Sequence, residues 1–307
     1  MPPKTLGYLY LTLAMPLVGS TVVASKIAMG SLPPFTATVL RFALALPCFL
    51  VLMRVYGVRL PRPGRRDRLI LAVQGLTGTA GYTALLMAGL QTTSAADAGV
   101  ILGTLPVVAA VVAVAVLGER PRPALLATVG LAAAGLFVLN RQPVDAAPGS
   151  AAGNALVFAA VVCEALFSLL NRRLRVDVQP LALSALMSAI GLAAALPFAL
   201  AEHPWTLHAA PAALLAVAWY ALLPTVGGFL LWYAGTARVG GTEAAPFMAL
   251  APVAALLLAA LWLGEPVGMR QLAGVGFVLA ALGAHVLSGT GRGRAAAQLP
   301  QELPPTP

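Results

Sequence analysis

Ten runs of apolar residues, each about 20 residues long, fill most of this 307-residue sequence and leave short connections between them. A helix needs about 20 apolar residues to cross the hydrocarbon core of a bilayer. Charged residues make up only 9% of the chain, against about 25% in soluble domains, which excludes a soluble enzyme and a disordered protein. The sequence therefore predicts an all-α membrane protein with ten transmembrane helices, at 6–28, 34–53, 69–90, 95–117, 123–140, 153–171, 180–201, 211–236, 242–263 and 269–288.

The positions of the basic residues predict how these spans cross the membrane. With a cytoplasmic N-terminus, 15 of the 19 Lys and Arg residues fall on the cytoplasmic side, three fall outside, and Arg41 lies within the second span. Cytoplasmic loops carry such an excess of basic residues. We predict a multi-pass protein of the cell (inner) membrane with both termini in the cytoplasm and a disordered tail over 289–307. The same bias explains the net charge of +9 without a nucleic-acid partner.

The second half of the chain repeats the first at an ungapped offset of 146 residues. Each half holds five spans, and this odd number requires the second copy to insert upside down. The pattern predicts two inverted five-helix repeats, at 6–141 and 152–288, as in many secondary transporters. The matched residues include Pro34 with Pro180, Gly81 with Gly227, Asp97 with Glu243, Pro106 with Pro252, and Leu117-Gly118-Glu119 with Leu263-Gly264-Glu265.

Two stretches resemble the paired signature of the drug/metabolite transporter superfamily, specifically of its EamA-type ten-helix members. They are LQTTSAADAGVILGTLPVVAAVVAVAVLGERP (90–121) and ARVGGTEAAPFMALAPVAALLLAALWLGEP (237–266). The segments GSTVVASKIAMG (19–30) and PPFTATVLRFALA (33–45) resemble the opening of the family. The resemblance implies an export-biased or exchange-type carrier of small metabolites, amino acids or drugs.

Glu164 is the strongest candidate for a functional residue, because it lies about a dozen residues into the sixth span. An ionisable group at the bilayer centre costs about 2.5–3.5 kcal/mol on insertion scales and is functional by default. Glu164, Ser168 and Asn171 share one helix face, which predicts a polar stripe lining a cavity. Glu164 is therefore a candidate to bind substrate or protons. The alternative is a structural ion pair with Arg41 or a hydrogen bond to a neighbouring helix.

Arg41 is the second charged candidate inside a span. Its guanidinium can hold a substrate carboxylate through two hydrogen bonds. It also lies near the outer end of its span, six or seven residues past Pro34, so it can equally reach the membrane interface.

The third and eighth spans contain Gly and Pro at matching positions, with Pro224 at the position of Gly78. Helices interrupted at corresponding places in two halves point to a transporter's binding site, although small residues also allow close helix packing. These two spans are predicted to supply aromatic walls and hydrogen bonds through Gln74, Tyr82, Trp219 and Tyr220.

Two further prolines are predicted to act as hinges. Pro106 and Pro252 are repeat-equivalent and lie in the fourth and ninth spans. Proline removes a backbone hydrogen bond from a helix interior, so we expect each to kink its span.

The other acids favour structural roles. Asp97 and Glu243 begin the fourth and ninth spans, where a first-turn carboxylate complements the helix dipole, and Ser94 before Asp97 fits a capping box. Glu119 and Glu265 end two spans and are predicted to pair with nearby arginines.

The remaining polar and aromatic residues carry weaker signals. His285, deep in the tenth span, is a candidate for proton coupling but fits an interface residue better. Trp232, Tyr233 and Trp262 are assigned to interfacial belts. No His or Cys spacing fits a metal site, so no metal and no cofactor are predicted.

The sequence thus favours a secondary transporter that exports a small metabolite, amino acids first, by alternating access around a central cavity. Protons are the candidate coupling ion. The second hypothesis is a multidrug or cation exporter of the same superfamily. The third is a membrane-embedded enzyme, against which the scattered positions of the ten acids argue.

Overall fold

The computed structural model describes residues 3–117, 130–131, 134–135, 151–171, 173–175, 178–239, 241–244, 247–248 and 250–280, and these residues form helices and their connections. The helices are α1 (Pro3–Ala28), α2 (Pro34–Val55), α3 (Arg65–Leu90), α4 (Ala95–Leu102), α5 (Leu105–Leu117), α6 (Ala151–Asn171), α7 (Pro180–Ala201), α8 (Pro211–Val239), α9 (Gly241–Ala244), α10 (Leu250–Leu263) and α11 (Met269–Ala280).

Six of these helices, namely α1, α2, α3, α6, α7 and α8, are long and apolar enough to cross a membrane. The pair α4 and α5 forms a seventh candidate span, bent by 50°. These helices confirm the predicted all-α membrane fold. The count of ten stays a prediction, because most of the fifth span lies outside the described residues and α10 and α11 are shorter than a full span. His285, Glu119 and the tail over 289–307 also lie outside the described residues.

The packing of the helices repeats between the two halves. At the offset of 146 residues, α1 corresponds to α6, α2 to α7 and α3 to α8. Helix α1 packs on α8 and α10, and its counterpart α6 packs on α3 and on the α4–α5 pair. Helices α2 and α7, which are each other's counterparts, pack directly together. The halves therefore interleave rather than forming two separate lobes.

Contacts at helix ends give the relative direction of the two halves. Glu202 follows the last residue of α7, and its carboxylate accepts hydrogen bonds from the N–H groups of Phe35 and Thr36 in the first turn of α2, at 3.1 and 2.6 Å. The end of α7 therefore lies beside the beginning of α2. Since the two helices also pack along each other, they run antiparallel. They occupy equivalent positions in the repeat. This antiparallel direction is the one that inverted repeats require.

Prolines and glycines fix where several helices begin and end. Pro34, Pro180 and Pro211 occupy the first positions of α2, α7 and α8, where the missing N–H costs no helical hydrogen bond. Gly264 follows α10 with a φ of +64°, the left-handed conformation that glycine adopts without a steric penalty. The second copy of the Leu-Gly-Glu motif, Leu263-Gly264-Glu265, therefore includes a helix stop.

Small residues allow the helices of the two halves to approach closely. A side chain at Gly19 would collide with the backbone of α10, and one at Gly89 would collide with the start of α6. The largest apolar cluster, which includes Val22, Val100 and Val161, combines residues of α1, α3, α4, α6 and α10. Close packing of this kind drives helix association in lipid, where the hydrophobic effect between helices is absent.

Candidate functional site

A cavity of about 510 Å³ lies between the two halves and is lined by residues of both. This volume falls within the range of about 300–1,000 Å³ that small-molecule sites occupy. We call the end of the bundle where α1 begins the inner face, and the opposite end the outer face. The lining reaches the first turns of α7 and α10, at Leu183 and Ala251, both near the inner face. Towards the outer face it includes Val22 of α1, Gly99 of α4 and Tyr220 of α8.

Arg41 of α2 projects into this cavity and is held by both halves of the protein. Its Nη1 donates to Oγ1 of Thr83 on α3 at 2.7 Å, and its Nε donates to Oγ1 of Thr225 on α8 at 3.1 Å. The guanidinium also lies over the ring of Tyr220, with Cζ 3.8 Å from the ring centroid. Of the two alternatives for Arg41, the structure therefore places it in the interior rather than at the membrane interface.

Glu164 of α6 lines the same cavity. Within the described part of the chain its carboxylate has no hydrogen-bond or ion-pair partner, so the ion pair with Arg41 is not formed. Ser168, one turn further along α6, lines the cavity as well. Two members of the predicted polar stripe, Glu164 and Ser168, thus face the cavity, whereas Asn171 is exposed and lies outside the cavity lining.

Aromatic side chains form much of the cavity wall. Tyr82 and Tyr220 line it as the sequence predicts, together with Phe167 and Phe229. Trp232 and Tyr233 also line it, and this differs from their assignment to an interfacial belt. Their positions near the end of α8 suggested the interface, but the cavity extends along α8 towards the inner face.

The expected interruptions of the third and eighth spans are π-helical segments within continuous helices. Leu76–Gly81 in α3 and Ala221–Gly228 in α8 are π-helical, and the offset of 146 superposes them. Gly78, Thr79, Pro224 and Thr225 from these segments line the cavity. π-Segments within α-helices frequently occur at functional sites.

Two of the predicted site residues lie outside the cavity lining. Gln74 is fully buried, and its Nε2 donates to the carbonyl oxygen of Phe167 at 3.1 Å. Trp219 donates from Nε1 to Oγ of Ser20 at 3.0 Å and packs edge-on against Trp262. Both side chains join neighbouring helices instead of facing the central space.

The two predicted hinge prolines follow breaks in the helices. Pro252 is the third residue of α10 and lines the cavity. Pro106 is the second residue of α5, just after the 50° bend from α4. Each proline occupies a first turn, where its missing N–H removes no helical bond, so the interruption precedes the proline.

Comparisons with known proteins identify the class of this molecule. Residues 5–141 and residues 151–287 each match the EamA-like transporter family. The chain belongs to the EamA-like transporter family. The uncharacterized transporter YetK of Bacillus subtilis (strain 168) is 32% identical to this transporter over 90% of this chain and 86% of its own length. The family is one of transporters, so a membrane-embedded enzyme is excluded.

Two further comparisons give the fold and one named activity. A probable terminal-alkyne amino-acid exporter of Streptantibioticus cattleyicolor (strain ATCC 35852 / DSM 46488 / JCM 4925 / NBRC 14057 / NRRL 8057) is 29% identical over 68% of this chain and 69% of its own length. A crystal structure matches this transporter with a TM-score of 0.63 at 21% identity, covering 94% of this chain and 98% of that chain. The second match concerns the fold alone.

The charges in the cavity of this transporter break its internal symmetry. At the offset of 146, Arg41 corresponds to Met187, and Glu164 corresponds to Val18. All four residues line the cavity. The repeated scaffold therefore places one basic and one acidic side chain, Arg41 and Glu164, at positions that are not related by the repeat.

Sequence reasoning missed Thr83 and Thr225, the two hydrogen-bond partners of Arg41. Threonine in a transmembrane helix commonly bonds its own backbone, so neither residue stands out as a partner for a distant arginine. The sequence does contain a signal that could have identified Thr225. Thr225 is repeat-equivalent to Thr79, and both lie in the Gly- and Pro-containing segments.

The acids assigned to structural roles bond helix ends and neighbouring helices. Asp97 receives a hydrogen bond from Nε2 of Gln271 at 2.9 Å, while its N–H donates to the Ser94 hydroxyl, which confirms the N-cap. Glu265 accepts from the N–H groups of the first two residues of α4, both at 2.9 Å. It therefore caps a helix of the other half, which differs from the predicted pairing with an arginine.

Proposed function

We propose that this transporter exports a small zwitterionic metabolite, with amino acids favoured, by alternating access of the central cavity to the two membrane faces. The observation that carries this proposal is the presence of Arg41 and Glu164 in one cavity without an ion pair between them. The carboxylate of a zwitterion can bind Arg41, and its ammonium group can bind Glu164. The Streptantibioticus relative, named as an amino-acid exporter, supports the same class of substrate.

The donors of Arg41 suit a carboxylate. A guanidinium has five N–H donors, and the described threonines accept from its Nε and Nη1. The donors that remain can bind both oxygens of a carboxylate. Glu164 and Ser168 then bind the ammonium group of the substrate, and the rings of Tyr82 and Tyr220 contact its side chain.

We also propose that Glu164 couples transport to protons. A carboxyl group within a membrane-spanning helix that faces an aqueous cavity can release a proton and bind the substrate ammonium group in its place. Alternating access would then exchange protons for substrate.

Flux measurements in proteoliposomes test both parts of the proposal. The purified protein is reconstituted with a pH gradient, and uptake of a panel of radiolabelled amino acids is measured for wild type, Arg41→Gln and Glu164→Gln. We expect Arg41→Gln to lower amino-acid flux at least about tenfold, in line with the loss of a charged hydrogen-bonded pair. Arg238→Gln is the control, because Arg238 is exposed and bonds the carbonyl of Ala234 outside the cavity.

Two outcomes of this experiment count against the proposal. Undiminished amino-acid flux in Arg41→Gln contradicts the zwitterion assignment. Equal flux of wild type and Glu164→Gln at every pH contradicts proton coupling.

The second candidate function is export of lipophilic cations. The aromatic wall of Tyr82, Phe167, Trp232 and Tyr233 together with Glu164 favours it, because aromatic faces and a carboxylate attract organic cations. The same variants separate the two functions. A cation exporter keeps its flux in Arg41→Gln and loses it in Glu164→Gln.

We propose that the inner face of the bundle is cytoplasmic and that the chain crosses the membrane ten times, as the distribution of basic residues predicts. Cysteines introduced at Arg66 and His203, in a background without Cys48 and Cys163, test this orientation. An impermeant reagent added outside intact cells should label the position at 203 and leave the position at 66 unlabelled. Labelling of both from the same side contradicts ten spans.

A further inference from the structure

Two connections at the inner face, each taken together with the helix residues that flank it, hold most of the excess positive charge of the chain. Residues 54–68 and 172–179 together contain nine arginines and two aspartates, a net charge of +7 in 23 residues, while the whole chain carries +9. The remaining 284 residues are therefore almost neutral.

The structure brings these two connections together. Val58 of the first and Val178 of the second pack in the same apolar cluster. Leu174 packs with Leu71 in the neighbouring cluster, and the N–H of Arg175 donates to a carboxylate oxygen of Asp67 at 3.4 Å. The arginines of both connections consequently form one surface, which we call the arginine face. It consists of Arg54, Arg59, Arg62, Arg65, Arg66, Arg68, Arg173 and Arg175, all exposed.

Asp67, the acidic residue of this surface that the structure describes, does not neutralise the charge of the arginines. Asp67 is only 5% exposed and lies in the first turn of α3, where its carboxylate complements the helix dipole and accepts from Arg175. Among the described residues, the six arginines of the first connection form no ion pair with any carboxylate. Their charges are therefore directed to the surroundings of the protein.

Apolar side chains accompany the arginines at the same level. Val55 is 71% exposed, Tyr56 is 69% exposed and Leu60 is 52% exposed. Tyrosine at the end of a transmembrane helix is typical of the headgroup region, where its ring is apolar and its hydroxyl is hydrated. The arginine face thus combines exposed basic, aromatic and apolar side chains, a composition typical of the headgroup region.

We propose that the arginine face is a binding surface for the phosphate headgroups of anionic phospholipids. Clusters of four to eight Lys or Arg residues next to a transmembrane helix bind anionic lipids. Arginine suits phosphate, because its planar guanidinium donates two parallel hydrogen bonds to it. Exposed Val55, Tyr56 and Leu60 contact the upper acyl chains of the same lipids. The surface lies away from the central cavity and does not depend on which substrate is transported.

Native mass spectrometry of the purified full-length chain tests this surface. The protein in detergent is mixed with phosphatidylglycerol or with phosphatidylcholine, and the bound lipid is quantified. The test variant replaces Arg59, Arg62, Arg65 and Arg66 with Gln, and the matched control replaces the same four residues with Lys. Each arginine near an anionic surface accounts for about a fivefold change in affinity, so we expect the Gln variant to bind phosphatidylglycerol at least about tenfold more weakly. The Lys variant keeps most of the affinity, and binding of phosphatidylcholine is unchanged in all three proteins.

Several outcomes would contradict a lipid-binding surface. A wild-type protein that prefers phosphatidylglycerol no more than phosphatidylcholine overturns the proposal, and so does a Gln variant with unchanged affinity. Soluble glycerol phosphate that competes as well as the lipid would indicate a site for a free phosphate compound instead. If the Gln variant does not fold, the salt dependence of lipid binding by the wild-type protein tests the proposal. Raising NaCl from about 0.05 M to about 0.5 M should weaken its phosphatidylglycerol binding severalfold, and affinity independent of salt contradicts an electrostatic surface.

Discussion

The Nε of Arg41 donates a 3.1 Å hydrogen bond to Oγ1 of Thr225, and this hydroxyl in turn donates to the carbonyl oxygen of Tyr220 at 2.8 Å. Tyr220 lies five residues before Thr225, so the second bond belongs to the widened π-helical turn of α8. The cation proposed to bind the substrate carboxylate is thereby tied to the π-helical segment of α8.

Thr225→Val should weaken recognition of the substrate carboxylate while leaving the fold intact. Valine keeps the shape of threonine but removes the hydroxyl that orients Arg41. Hydrogen bonds to charged groups contribute about 1.5–3 kcal/mol, so we expect the KM for an amino acid to rise about tenfold or more. The KM and maximal flux in proteoliposomes check this. Thr77→Val is the control, since the Thr77 hydroxyl donates to the carbonyl of Val73 on its own helix and lies outside the cavity lining. Equal KM values for the two variants would argue against an orienting role of Thr225.

Glu265→Gln should loosen the outer face of the bundle. The Glu265 carboxylate accepts two N–H groups at the start of α4, and a glutamine retains one acceptor oxygen and loses the charge that favours a helix N-terminus. We expect a loss of about 1–2 kcal/mol of stability and faster opening at that end. Val22→Cys, in the cavity lining towards the outer face, reports the opening through its alkylation rate by an impermeant reagent.

This rate should rise severalfold in the Glu265→Gln background when the reagent is added from the outer side. Glu243→Gln is the control, because Glu243 bonds Lys4 and Tyr8 at the inner face. An outer-side rate that responds equally to both substitutions would show that Glu265 has no specific role in closing this face.

Gly78→Ala should destabilise the contact between α3 and α6. A methyl group at Gly78 would overlap the side chain of Phe167, which is rigid and borders the cavity. Overpacking of this kind costs about 1–3 kcal/mol, so we expect a clear fall in Tm in detergent. Gly276→Ala is the matched control, because none of the described residues lies within 4 Å of the added methyl group. There alanine should leave Tm unchanged or raise it, since alanine favours helix by about 1 kcal/mol over glycine. A similar Tm for the two variants would contradict the close packing at Gly78.

Gln74→Met should be tolerated. The Gln74 side chain is fully buried, and among the described residues its Oε1 has no hydrogen-bond partner while its Nε2 bonds the Phe167 carbonyl. Methionine fills a similar volume, and removing an unpaired buried acceptor offsets the lost bond, so we expect a Tm change equivalent to less than about 1 kcal/mol. Amino-acid flux should stay at the wild-type level. A large loss of flux with an unchanged Tm would instead indicate that Gln74 binds the substrate.

The predicted residues that line the cavity share a local signal. Glu164 and Ser168 are polar positions on one face of an apolar helix, and burying a carboxylate in lipid is so unfavourable that such a face must line a cavity. Tyr82 and Tyr220 were found through the repeated Gly- and Pro-containing segments around them. Gln74 and Trp219 belong to the same two helices, but their spacing alone did not reveal that they point to neighbouring helices.

The sequence by itself determined the membrane class, the family and the internal repeat, because hydropathy over 20 residues and an offset of 146 residues are properties of the chain alone. The tertiary structure decided which side chains meet. Arg41 is 184 residues away from Thr225, and Glu265 is 170 residues away from Ala95. Such contacts form when the helices of the two halves interleave and bring donors and acceptors from distant parts of the chain together. Each buried donor bonds an acceptor that the packing of the helices brings within reach. The identity of that acceptor cannot be predicted from composition or from hydrophobic periodicity.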